Sequence, residues 1–287
     1  MPLRLVALLV ALLLTACGDA LISSDPPGST ATPIDRTAGP ATHGATGNGN
    51  GSGDQGGPDG TPTSAAPTPV DDQGRVGANG PAMLRDDRSR IVLEIDIQEG
   101  ARVDQDAVAY LASIIERYSG KDVVETGGNT FTSSEREWTI AKLNEVVAAN
   151  RSTFSDAAAV SIHVLYLRGG HHQDGEETNA IGVAWRASQF AMFPDRWAGL
   201  GGLVGSDEAI ERAVLVHEWG HLLGLVNLTY TSQFDHEDSA HPGHSNNEDS
   251  VMFWQVETDL IGQLLGSIPD DFDEADRADM QQIAAGG

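Results

Sequence analysis

His217, Glu218 and His221 fall in the run HEWGH, two imidazoles four residues apart with a carboxylate directly after the first. Positions i and i+4 of a helix lie one turn apart on one face, so both rings can reach a single ion. Glu218, between them, can reach a water on that ion and take its proton. The chemistry such a spacing serves is zinc-assisted attack of water on a carbonyl carbon. The motif sits in AIERAVLVHEWGHLLG, where two histidines and a glutamate would be costly to bury without a partner.

Three protein ligands and one open position are what a catalytic zinc normally takes. Two are supplied by the motif. Asn227, at the end of HEWGHLLGLVN, is a weak donor beside imidazole. Further on, FDHEDSAHPGHSNNEDSVM offers His236, His241 and His244, with Asp235 as a carboxylate alternative.

HEWGHLLGLVN together with SVMFW at residues 250–254 resembles a metzincin-type zinc metallopeptidase. The resemblance implies a zinc endopeptidase with one catalytic Zn2+, with His217 and His221 as ligands, Glu218 as general base, and Met252 as the Met-turn methionine beneath the ligands. In the archaemetzincin branch the third histidine precedes a cysteine, four residues, a second cysteine, one residue and that methionine. HSNNEDSVM keeps this spacing with Ser245 and Ser250 in the cysteine places. The resemblance thus implies His244 as third ligand and residues 228–243 as an insertion, with His236 and His241 as alternatives. It departs from the pattern at Asn227 and at Trp254, where a switch tyrosine would stand.

Elements must position these groups. RIVLEIDIQ alternates Ile91, Leu93, Ile95 and Ile97 with other residues, which predicts a half-buried strand. DQDAVAYLASIIERYSG repeats apolar residues at helical spacing and stops at Gly120. A short strand near DVVET comes next, then a second helix opened by a capping box of Ser134 and Glu137. AAAVSIHVLYL predicts a strand on which His163 is a packed residue, and His171 and His172 fall in a polar loop. NAIGVAWRASQF predicts a further strand, a candidate edge to which a substrate could add. Ser206 caps the motif helix and Gly224 ends it, and PDDFDEADRADM predicts a last helix. The expected fold class is α/β (α+β) and metzincin-like: a twisted sheet with an edge strand, two packing helices, a central motif helix, and a small C-terminal lobe.

The chain begins MPLRLVALLVALLLTAC, a charged start and an apolar stretch of about ten residues, too short for a comfortable span. LTAC resembles the bacterial lipobox, which implies residues 1–16 as signal peptide and lipidation at Cys17, the single cysteine. Gly, Pro, Ser and Thr dominate the stretch after Cys17, with no aromatic residue before position 81, so residues 17–87 are expected to be a tether. Residues 88–287 are then the catalytic domain, held outside the cytoplasm at a bacterial envelope membrane. A formal charge of -25 argues against nucleic acid as a partner. Peptide or protein is the expected substrate. The rival reading is a non-catalytic, zinc-containing binding or scaffold lipoprotein on a protease fold.

Overall fold

The structure, a computed structural model, describes residues 68–287 except 86, 259, 260, 262–266 and 287, and the backbone alone at 203 and 204. The expected signal peptide, Cys17 and most of the expected tether lie outside the described residues. Element order is α1 (Gly80–Leu84), β1 (Arg90–Gln98), α2 (Gln105–Ser119), β2 (Asp122–Phe131), β3 (Glu137–Trp138) and α3 (Ile140–Asn150). Then come β4 (Ala159–Tyr166), β5 (Gly170–Gln173), β6 (Glu176–Glu177), β7 (Gly182–Arg186), β8 (Gln189–Met192), α4 (Gly201–Val204), α5 (Asp207–Leu223) and α6 (Glu274–Ala285). The result is a mixed α/β fold.

Five strands form one sheet in the order β2-β1-β4-β8-β7. The first four run parallel and β7 runs antiparallel to β8, so NAIGVAWRASQF is a hairpin rather than one strand. β7 is an edge of this sheet, on the side where α5 packs. A smaller sheet has the order β3-β5-β6.

β1 is buried on both faces, not one. Glu94, Asp96 and Gln98 are as fully buried as Ile91 and Leu93. Buried polar groups must be hydrogen-bonded, and these are. Ser152 and Thr153 donate main-chain and side-chain hydrogen bonds to both Glu94 oxygens. Gln98 donates to the Ser133 and Glu135 carbonyls and accepts from the Arg168 N–H. The second layer above this face holds Trp138, Leu143, Val147, Leu165 and Phe193.

Two other expectations are corrected. The cap of α3 is Thr139, whose hydroxyl accepts from the Lys142 N–H, because Glu137 and Trp138 are drawn into β3. Trp138 decides this: it is buried, and its indole N–H donates to the Arg168 carbonyl at 2.7 Å. Composition extends the tether to residue 87, yet folded structure begins earlier. Pro81 lies in the first turn of α1, and Ala82, Met83 and Leu84 lie in the main core. Asp72 forms a 3.3 Å ion pair with Arg151, whose side chain is 0% exposed. Composition hid this, since one short apolar run and one aspartate suffice for it. Among the described residues no helix is long and apolar enough to cross a membrane.

Candidate metal centre

α5 runs through the core because its sequence is capped at both ends and apolar between them. Ser206 accepts from the Ala209 N–H, with Asp207 and Glu208 in the first turn where the helix dipole favours them. Gly224 closes the helix at φ 87°, a left-handed conformation that suits glycine. From Ala213 to Leu223 every residue is buried. On one face His217 and His221 bring their rings to 4.6 Å between centroids.

His244 joins them, 5.2 Å from the His217 ring and 4.9 Å from the His221 ring. Its loop is pinned on both sides: the Asp238 N–H donates to the His244 carbonyl at 2.8 Å, and the Ser245 N–H to the Met252 carbonyl at 2.8 Å. Ser250 accepts from the Met252 N–H and donates to Asp276. Met252 is fully buried against α5 at Gly220, where an added Cβ would fall 2.3 Å from its sulfur. Gly220 therefore lets the Met252 side chain pack directly on α5.

The alternatives are engaged elsewhere. His236 binds Asp279 at 2.9 Å, and His241 binds Asp238 at 2.7 Å while its ring stacks on Trp254 at 4.2 Å. Asp235 is exposed. Asn227, at φ 65°, donates to Glu237 and accepts from the Ser232 N–H, so it fastens the 228–243 loop.

Glu257 is the member of the cluster that the sequence did not single out. Its carboxylate lies 3.0 Å from His244 Nε2, 3.5 Å from His217 Nε2 and 3.7 Å from His221 Nε2. No hydrophobic period or motif marks its place in FWQVET, five residues beyond Met252.

The two helix imidazoles are set to receive a cation. The Val251 carbonyl can only accept, so His217 Nδ1, 2.6 Å away, carries the hydrogen and Nε2 presents its lone pair. Burial, with the neighbouring imidazoles, lowers His221 to about 3 and keeps it neutral, although Glu257 works the other way. Burial opposes charge on His244, but the Glu257 carboxylate outweighs it and raises that imidazole. Glu257 is itself held well below the usual carboxylate range, since the His244 charge and contacts from all three imidazoles overcome its burial. The Nε2 atoms of all three histidines are buried without a hydrogen-bond partner. Such orphaned donors, aimed at one point with their outer nitrogen fixed in one case by a carbonyl, fit zinc.

Glu218 is 0% exposed, and neither of its oxygens has a hydrogen-bond partner. Burial first, and then the negative charge of Glu257, push its carboxyl well above the usual range. It lies against β7, where a Cβ on Gly182 would come 2.3 Å from Glu218 Oε1. Only glycine leaves room there for the carboxylate.

A second acidic and histidine group, Glu94, Asp96 and His163, also lies within ligand spacing. Its donors are spent: Glu94 on Ser152 and Thr153, Asp96 on His163 at 2.8 Å and on the Asn129 N–H. His171 and His172 belong to β5 rather than a loop. His171 is buried near Phe193, and burial lowers it to about 4.

No protein-family model matches the chain, and no curated protein matches it. Among solved structures it is similar to an archaemetzincin from Methanopyrus kandleri, at 14% identity and a TM-score of 0.46, over 70% of this chain and 98% of that one. An archaemetzincin from Archaeoglobus fulgidus matches at 14% identity and 0.38, over 66% and 99% of the two chains. A zinc-dependent peptidase from Methanocorpusculum labreanum matches at 14% and 0.39, over 66% and 99%. At this level of likeness, function has to be read from the chain's own side chains.

Proposed function

We propose that this chain is a zinc-dependent endopeptidase, and the observation that carries the proposal is the convergence of His217, His221 and His244 beside the buried, unpartnered Glu218. The three imidazoles would hold the metal. Bound there, zinc would supply Lewis acidity, polarising the scissile carbonyl and lowering the pKa of the attacking water. Glu218 accepts the proton of that water and returns it to the leaving amine. β7, an edge strand of the sheet beside Glu218, gives an extended peptide a strand to pair with. Glu218→Gln keeps the shape of the site and removes the base. Peptide hydrolysis should fall roughly 10²–10⁴-fold while zinc stoichiometry stays at the wild-type level. Equal turnover by the two proteins would exclude Glu218 as the base.

The setting we propose is the outer side of a bacterial membrane, through a lipid on Cys17. LTAC after a short apolar stretch supports it. Cys17→Ser should move the protein out of the membrane fraction; wild type that is soluble with an unmodified Cys17 would refute the anchor.

A non-catalytic zinc-binding protein is the second reading. The contact of Glu257 with the three histidines favours it, since four protein ligands make a closed site. Against it stands Glu218, a buried carboxylate that a purely structural site does not need.

A further inference from the structure

We infer that Glu257 is a fourth protein ligand of the metal, and that the segment carrying it closes the centre until a bound peptide strand displaces it. The inference rests on the zinc reading of the three histidines. Donors arranged tetrahedrally at about 2.0–2.1 Å from an ion stand about 3.3–3.4 Å from one another. Glu257 Oε2 is 3.5 and 3.7 Å from the Nε2 atoms of His217 and His221, close to that spacing, and its Oε1 is 3.0 Å from His244 Nε2. An ordinary ion pair would form directed hydrogen bonds instead. Here Glu257 Oε2 and the Nε2 atoms of His217 and His221, 3.5 and 3.7 Å away, are all buried with no hydrogen-bond partner. Donors that crowd together without bonding to each other are arranged around a shared centre.

The backbone adds an independent observation. Glu257 ends a 3-10 turn that begins at Trp254, and the chain then runs antiparallel beside the start of β7. The Ile181 N–H donates to the Glu257 carbonyl at 2.7 Å, and Ala180 forms a bridge with Thr258. A peptide that adds to the same edge needs those main-chain groups. The segment thus resembles a bound strand in pairing and a product in placing a carboxylate at the metal. Pairing of substrate with residues 180 and 181 would draw the Glu257 backbone away and open the fourth position.

Metal affinity and ligand access test this without reference to turnover. The full-length wild type, Glu257→Ala and His244→Ala would be loaded with Zn2+ against a competing chelator. Co2+-loaded wild type and Glu257→Ala would then be titrated with acetohydroxamate by visible absorption. Glu257→Ala should bind zinc at least about tenfold more weakly than wild type. Acetohydroxamate should bind about tenfold more tightly to the Co2+ form of Glu257→Ala, because no carboxylate has to leave. Unchanged zinc affinity overturns the fourth ligand, and equal hydroxamate affinity overturns the closure. If Glu257→Ala does not fold, the isosteric Glu257→Gln is measured in the same way. His244→Ala separates the two readings: zinc binding equal to wild type there overturns the three-histidine centre itself.

Discussion

Asn227 fastens the start of the loop whose far end brings His244 to the other two histidines. In the pattern that the sequence resembles, a ligand histidine stands at this place after the glycine turn, but here the Asn227 amide is turned to Glu237 and Ser232. Its φ of 65° is a conformation asparagine tolerates and alanine does not. Asn227→Ala should therefore cost about 1–3 kcal/mol from backbone strain and lost hydrogen bonds. Zinc affinity should stay within a few-fold of wild type. Denaturant melts and chelator competition on the same variant check both halves; loss of zinc from a folded Asn227→Ala would make Asn227 a ligand. At this scale the sequence was partly legible. His217, Glu218 and His221 could be read because a helix converts a spacing of four into one face. His244 could be read only through a family spacing, since a loop has no period to count along. Glu257 escaped because its place depends on how the turn from Trp254 packs, not on any local pattern.

Elements built on strong local signals match their expected places. α2 is capped by Asp104 and stopped by Gly120, and α5 by Ser206 and Gly224, as their sequences require. Elements decided by tertiary pairing do not: β3 displaced the Ser134 cap, and β5 took up a segment that reads as loop. One residue of α5 joins three elements. Glu211, 4% exposed, accepts from the Tyr166 hydroxyl of β4 and from the Asp104 N–H that opens α2. Burial raises its carboxyl to about 7 from 4.5, despite those two hydrogen bonds. Below pH 4.5 the acid is protonated in both folded and unfolded chains. As pH rises toward 7 the unfolded chain gives up the proton and the folded one keeps it, so this group's contribution to stability falls across that window. The loss is of order 1–3 kcal/mol. Glu211→Gln keeps an acceptor for both donors and should flatten that part of the decline. Asp276, also raised to about 7 by burial, should leave a slope of its own. Denaturant melts of the metal-free proteins at pH 5 and pH 7.5 decide it: identical declines in the two proteins would mean that Glu211 titrates normally.

Across the whole molecule, the boundary between tether and domain is where composition misleads. The stretch from residue 18 to 87 is rich in glycine and has no Phe, Trp or Tyr, which reads as spacer. Yet α1 seals the end of the core beside α5 and α6, with Met83 fully buried. Asp72 neutralises Arg151, and its two oxygens also accept from the main chain and hydroxyl of Ser155. A chain that starts at residue 88 would leave the Arg151 guanidinium without its ion-pair partner, and breaking a buried pair costs about 3–5 kcal/mol. Losing the burial of Met83 adds roughly 1.5–3 kcal/mol. Together these approach the roughly 5–15 kcal/mol that holds a domain folded. Residues 68–287 should therefore melt cooperatively and bind one zinc, whereas residues 88–287 should be largely unfolded or far more readily cleaved by protease. Asp72→Asn within 68–287 isolates the charge: it should reproduce about half of the loss. Equal stability of the two fragments would return residues 68–87 to the tether, and with them the assignment of Asp72 as the partner of Arg151.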